Sequence, residues 1–158
     1  SLRRHDIACV AAFVLGFPGE TEETLRENLD FIDSSGVDYF TLKEFYYMEH
    51  APIHAEREKY GLSGGGNKWS HVTMDSQGAY EGKVGLFQEA RNSCFVDPDT
   101  SLWHLIALLD AGFSLGQIQL IQRELNEILR EQLNGSYSGS HVAYGRLKEM
   151  LKDEGKPV

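Results

Sequence analysis

Ile7-Ala8-Cys9-Val10-Ala11-Ala12-Phe13-Val14-Leu15, closed by Gly16-Phe17-Pro18-Gly19, decides the fold class. A short apolar run without polar alternation, ended by Gly and Pro, reads as a strand buried on both faces. Such strands belong to parallel sheets covered by helices. A helix start follows at once. Thr21 can cap, Glu22 and Glu23 occupy the first turn where the macrodipole favours acids, and Leu25, Leu29 and Ile32 form an i, i+4, i+7 stripe. Ser34-Ser35-Gly36 ends that helix, and Val37 to Tyr47 is rich in β formers. Strand, helix and strand with short connections make a βαβ unit with parallel strands.

Beyond this unit the pattern changes. Ala51-Pro52-Ile53 breaks any strand, His54 to Tyr60 suits a short helix, Gly64-Gly65-Gly66 reads as a flexible loop, and Trp69 to Met74 reads as a short strand or ordered loop. From Asp75 onward, helix follows helix. Residues 76 to 92 carry Tyr80, Val84 and Phe87 on one face, interrupted by Gly78, Gly82 and Gly85. A second helix opens near Asp99 or Thr100 with Leu102, Leu105, Ile106 and Leu109 as its buried stripe and Gly112 as its stop. A third runs from Leu115 to Leu133 behind Ser114, with Ile118, Ile121, Leu125 and Ile128 facing inward, and a last spans roughly His141 to Lys152. Ser1 to Asp6 reads as the tail of a helix, and Lys152 to Val158 as a frayed end. Two parallel strands leave unpaired edges, so the front of the chain reads as part of a larger sheet.

Composition narrows the function classes. The chain has 158 residues, Lys+Arg 15 against Asp+Glu 24, and a net charge of -9, which argues against a nucleic-acid surface built on bulk charge. No apolar run approaches the ~20 residues of a membrane span, and no membrane partner is expected. The only two cysteines, Cys9 and Cys94, do not make a disulfide framework, and a cytoplasmic location is the default expectation. They cannot by themselves supply a four-cysteine metal or cluster site, and Cys9 reads as a small core residue. His50 and His54 stand at i, i+4, but Pro52 lies between them and no further donor completes a metal site. No metal site is expected.

The segment Gly16 to Thr21 lies at the carboxyl end of a parallel strand and opens a helix, where ligands bind in open sheets and barrels. Its glycines permit close backbone approach and Pro18 fixes the turn. A plain βα turn would use the same residues. The string Val14-Leu15-Gly16-Phe17-Pro18-Gly19-Glu20-Thr21-Glu22-Glu23-Thr24-Leu25 resembles the fifth strand and following helix of radical S-adenosylmethionine enzymes, chiefly the group with an upstream cobalamin-binding domain and more distantly the methylthiotransferases. The resemblance covers Ile7 to Tyr47 and extends to Met74 through Trp69-x-His71-x-Thr73-Met74; the C-terminal helices are generic.

That resemblance implies an α/β fold: a partial TIM-like (β/α) barrel with parallel strands, here its last two βα elements over residues 1–74, followed by an α-helical C-terminal region over 75–158. It implies that Leu15, Gly16 and Pro18 lie against the adenine of S-adenosylmethionine, with Gly19 and Glu20 shaping the loop. Phe45, Tyr46 and Tyr47, at the end of the next strand, would also touch the cofactor. It implies a [4Fe–4S] cluster and, in the cobalamin group, methyl transfer. The Cys-x-x-x-Cys-x-x-Cys triplet that holds the cluster is absent from this sequence. The chain is therefore expected to be the C-terminal portion of a longer radical enzyme, inactive alone, whose partners are the missing N-terminal part of the same polypeptide and a small-molecule or peptide substrate.

Other residues read two ways. His71 could face the barrel mouth and meet substrate, or be a hydrogen-bonded histidine of a closing loop. Tyr39, Tyr46 and Tyr47 could stack on a ring or simply pack. Glu44 could be a buried site carboxylate or point outward beside Lys43. His104, beside Trp103, reads as a structural histidine of a core helix. Two alternatives stay open: an α/β module that binds a small ligand or partner without catalysis, and a fragment of another barrel such as an aldolase-type enzyme.

Overall fold

A computed structural model describes residues 5, 7–97, 99, 101–135 and 144–149. The architecture is mixed α/β around a parallel three-stranded sheet, whose strands in spatial order are Val10–Leu15 (β1), Tyr39–Glu44 (β2) and Cys94–Phe95 (β5, the fifth strand along the chain). Strands β1 and β2 are joined by helix α1, Glu22–Ser34. The amides of Tyr39 and Phe45 donate to the carbonyls of Cys9 and Leu15 at 3.0 and 2.7 Å. The same sequence offset at both ends requires parallel strands. Thr21 caps α1 as expected, and the second half of its capping box is the Thr24 hydroxyl.

The third strand, β5 (Cys94–Phe95), was not anticipated by periodicity, because two residues carry no alternation to read. It pairs in parallel with β2, Tyr39 opposite Cys94 and Phe40 opposite Phe95. The glycine run likewise differs from expectation. Ser63–Gly65 forms β3, paired antiparallel with β4, Lys68–Ser70. Gly64 has φ +84°, and a Cβ there would stand 2.1 Å from the Lys68 carbonyl oxygen, so only glycine lets these backbones meet. A 3-10 turn at Pro52–Glu56 and the short helix α2, Arg57–Tyr60, precede this hairpin.

The chain forms two compact units. Residues 1–10, 37–40 and 93–158 make one, and residues 11–36 and 41–92 the other. In the second unit α1 packs on α3 (Ser76–Glu89), whose inward residues are Ala79, Leu86 and Phe87. Tyr80 was expected inside but is half exposed. The helices meet instead on the glycine side of α3, where a Cβ at Gly82 would stand 2.7 Å from a methyl of Leu25. The loop after α3 is tied back to α1 by Asp33, which accepts the amides of Arg91 and Asn92 at 2.9 Å each.

The first unit is built on Tyr39, Cys94, Val96, Leu105 and Ile118. Helix α4 (Ser101–Asp110) packs on α5 (Leu115–Leu133), and α5 on β5. Ser114 caps α5 and shares a capping box with Gln117, but the inward face of α5 differs from the apolar stripe expected. Leu125 is exposed, while Gln122 and Asn126 are buried with Ile118 and Ile121. The reason is the edge of β5. Asn126 accepts the Phe95 amide at 2.8 Å, and Asn126 and Gln122 both donate to the Phe95 carbonyl, at 3.0 and 2.8 Å. Two amide side chains thus stand in for a neighbouring strand.

Among the described residues of the stripe expected on α4, only Leu105 is buried; Ile106, Leu109 and Trp103 are exposed, as is His104, which is no core histidine. The side chain of Leu102 lies outside the described residues, as do 1–4, 6 and 150–158 and so most of the two expected terminal segments. Residues 144–149 are helical within the last expected helix, with Leu147 buried and Arg146 paired to Glu124 at 2.8 Å.

Candidate functional site

The carboxyl ends of β1 and β2 lie together in the second unit, and the loop Gly16–Glu20 leaves from the first of them. Gly16 has φ +79° and Gly19 φ +103°, conformations that favour glycine. The Glu20 amide closes the turn on the Phe17 carbonyl at 2.8 Å. The Glu20 carboxylate turns back on its own loop: one oxygen accepts the Gly16 amide, and the other accepts from the Asn28 side chain at 3.2 Å. Glu20 therefore braces its own loop.

Behind the loop stands a chain of rings. The Trp69 indole donates to the Phe45 carbonyl at 2.7 Å, and His71 Nε2 meets the Gly16 carbonyl at 3.2 Å. The two rings are parallel within 3°, with centroids 5.3 Å apart. Phe45 packs edge-on against Trp69 and Phe17, and stacks on Tyr47, which stacks in turn on His54. Tyr47 and His54 also share a hydrogen bond, hydroxyl to Nδ1, at 2.7 Å. That contact employs His54 inside the chain, on a 3-10 turn rather than an α-helix with His50. Among the described residues, no three His, Cys, Asp or Glu side chains group to hold a metal ion.

The residues singled out from the sequence divide by accessibility. Leu15, Gly16, Pro18, Phe45, Tyr47 and His71 are buried, Glu20 is half-buried, and Gly19 and Tyr46 are exposed. The bare side of Gly16 is taken by the protein itself. A Cβ there would stand 2.3 Å from the Trp69 ring and 2.7 Å from Ala79. The glycine was expected to admit a ligand on its own account; it admits an indole. Phe45 and Tyr46 line a groove of about 490 Å³ with Trp69, Tyr80 and Glu44, whereas residues 15–20 do not line it. Glu44 is not a lone buried carboxylate, since Lys83 of α3 pairs with it at 3.2 Å. Tyr39 belongs to the core of the other unit, so the three tyrosines do not make one cluster.

One exposed residue of the loop escaped the sequence reading. Phe17 is 47% exposed at the tip, its ring 5.3 Å from Phe45. The signal was present: a large aromatic between two turn residues, where a polar side chain is usual. Phe17 and Gly19 give the loop an accessible apolar surface, suited to a flat ring. Nothing in the loop offers a free acid or base.

A stretch of 50 residues is 42% identical to the ribosomal protein uS12 methylthiotransferase RimO of Azorhizobium caulinodans. It covers 32% of this chain and 11% of that protein's length. This partial match supports a relation to the radical S-adenosylmethionine enzymes. No protein-family model matches the chain, and no solved structure gives a significant match. Among the described residues, no helix is long and apolar enough to cross a membrane.

Proposed function

We propose that this chain carries the adenosine-facing loop of a radical S-adenosylmethionine enzyme, within a partial (β/α) barrel. The 42% identity over 50 residues to RimO carries this proposal. The position of Gly16–Glu20 at the carboxyl end of a parallel strand supports it, because backbone and helix N-terminus converge there on ligands. The residues fit the adenosine part of the cofactor: Phe17 and Gly19 offer exposed apolar surface, while Glu20 and Pro18 hold the turn. Leu15 and Gly16 contribute as the buried frame under that surface, and Phe45, Tyr46 and Tyr47 as the adjoining strand end. When bound, S-adenosylmethionine supplies the 5′-deoxyadenosyl group that starts radical chemistry.

The residues do not fit a [4Fe–4S] cluster. Cys94 is wholly buried and its thiol is pushed up by burial, away from the thiolate a metal needs, and Cys9 is the only other cysteine. The cluster ligands then belong to a further part of the same polypeptide, and the 158 residues alone are inactive. Cobalamin-dependent methyl transfer is the reaction class we favour, and no residue here is assigned to the corrin. A second role, as a ligand- or partner-binding module without catalysis, is favoured by the internal use of both polar groups of Gly16.

The gene product that carries this chain, reconstituted anaerobically with iron and sulfide and then reduced with dithionite, should release 5′-deoxyadenosine from S-adenosylmethionine. A product that binds iron and sulfide and yet forms none would overturn the proposal in favour of the binding module. The isolated 158 residues should take up no stoichiometric cluster.

A further inference from the structure

We infer that Trp69 and His71 are positioning residues that set the place of the Gly16–Glu20 loop, and through it the affinity for the ligand the loop holds. Parallel strands end on carbonyls that have lost their ladder partners, and a buried carbonyl left unpaired is costly. Here one three-residue stretch covers both ends. Trp69 and His71 are two residues apart, so an extended backbone sends both side chains to one face. Trp69 closes Phe45, just past the end of β2, and His71 closes Gly16, just past the end of β1. Both donors are buried, at 3% and 8% exposure.

The proton on His71 is placed by its neighbours. The Thr73 backbone amide can only donate, and it meets Nδ1 at 3.3 Å, with the Thr73 hydroxyl at 3.1 Å from the same atom. Nδ1 is then the acceptor, and the N–H is on Nε2, aimed at Gly16. The Trp69 ring, parallel to the imidazole, also fills the space under Gly16. The loop is thus held at its carbonyl by His71, at its Cα by Trp69 and at its amide by Glu20. The β3–β4 hairpin supplies the rigid base, with Trp69 in register opposite Gly64. This gives Trp69-x-His71-x-Thr73 a function that does not require His71 to touch substrate. The ligand identity rests on the function proposed above; the clamp itself does not.

The test compares His71→Gln, which keeps an N–H donor of similar reach, with His71→Leu, which has none. Two readouts are taken on the gene product: hydrogen exchange of peptides covering 15–21, and the dissociation constant for S-adenosylmethionine by equilibrium dialysis. In His71→Leu, exchange in the loop should rise about tenfold, the scale of one lost hydrogen bond, and the dissociation constant should rise similarly. His71→Gln should restore both to within about threefold, and Trp69→Phe, which loses the donor and part of the ring under Gly16, should loosen peptides covering 45–47 and 15–21. If His71→Leu does not fold, Trp69→Phe carries the test. Unchanged loop exchange in a folded variant without the donor overturns the clamp. A His71→Gln variant as impaired as His71→Leu overturns it too. Failure of the wild-type protein to bind S-adenosylmethionine, with exchange responding as expected, overturns the ligand assignment and leaves the clamp standing.

Discussion

Gly16→Ala should cost about 1–6 kcal/mol of stability, and the sum can be worked from three terms. The backbone at φ +79° costs an L side chain about 1–2 kcal/mol. The new methyl would stand 2.3 Å from the Trp69 ring, where carbon contacts need about 3.5 Å, so the indole must retreat by more than an ångström. It cannot do so freely, being hydrogen-bonded to Phe45 and stacked on His71. Overpacking of this kind costs about 1–3 kcal/mol, with about 1 more if the indole bond breaks. The stiffer unfolded chain returns about 0.4–1 kcal/mol. Urea unfolding followed by tryptophan fluorescence is the assay, since Trp69 is buried and Trp103 is exposed. The control is Gly19→Ala. There the nearest atom lies 3.8 Å away in Tyr60, so only the backbone cost and the same unfolded-chain return apply, a net loss of about 0–1.6 kcal/mol. A Gly16→Ala loss under about 1 kcal/mol, or one equal to that of Gly19→Ala, would refute the packing of Trp69 beneath the loop.

Other perturbations have equally definite outcomes. Gly85→Ala sits mid-helix with open space where its Cβ would stand, so it should stabilise by about 0.5–1 kcal/mol in the same urea assay. Tyr39 has a buried hydroxyl with no partner among the described residues, and Tyr39→Phe should leave stability unchanged or raise it by about 1 kcal/mol. Burial, with smaller contributions from Cys94 and Asp38, pushes the Tyr39 phenol up to about 12 from 10.0. The unfolded chain therefore loses its proton first as pH rises, and about 2–3 kcal/mol of stability should be lost between pH 10 and 12. That alkaline loss should be absent from Tyr39→Phe, as unfolding at fixed pH will show. Asn126→Leu strips the Phe95 amide and carbonyl of a buried partner and should cost about 2–4 kcal/mol by thermal unfolding, more than Leu125→Ala on the exposed face.

The elements set by local physics were legible in the sequence. The strand before Gly16, the Thr21 cap, and the Ser114 cap with the long helix behind it all stand where pattern and capping chemistry put them. Strand β1 is not buried on both faces as its unbroken apolar run suggested: Val10 and Val14 are 40% and 55% exposed, and only Leu15 is fully buried. The misreadings share a physical cause: each depends on a partner distant in sequence. Strand β5 exists because β2 and the amides of Gln122 and Asn126 flank Phe95, and no window around Cys94 contains them. Gly64–Gly66 looked like slack chain because a glycine needed for close backbone approach is the same letter as one that permits motion. Gly78, Gly82 and Gly85 counted against a helix, yet α3 forms through all three, and Gly82 is where Leu25 of α1 packs against it. At the candidate site the loop was readable as a turn over a strand end. Its clamp was not, since Trp69 and His71 lie more than fifty residues beyond Gly16. Their alternate spacing hinted at a shared face but named no target.

The most direct measurement is photolabelling of the gene product with 8-azido-S-adenosylmethionine, followed by peptide mapping of the adduct. The label should fall on the peptide containing Phe17 and Gly19, with a lesser share on residues 45–47, and unlabelled S-adenosylmethionine should suppress it. Saturable labelling confined to other peptides, with residues 13–21 unmarked, would contradict the assignment of this loop to the cofactor.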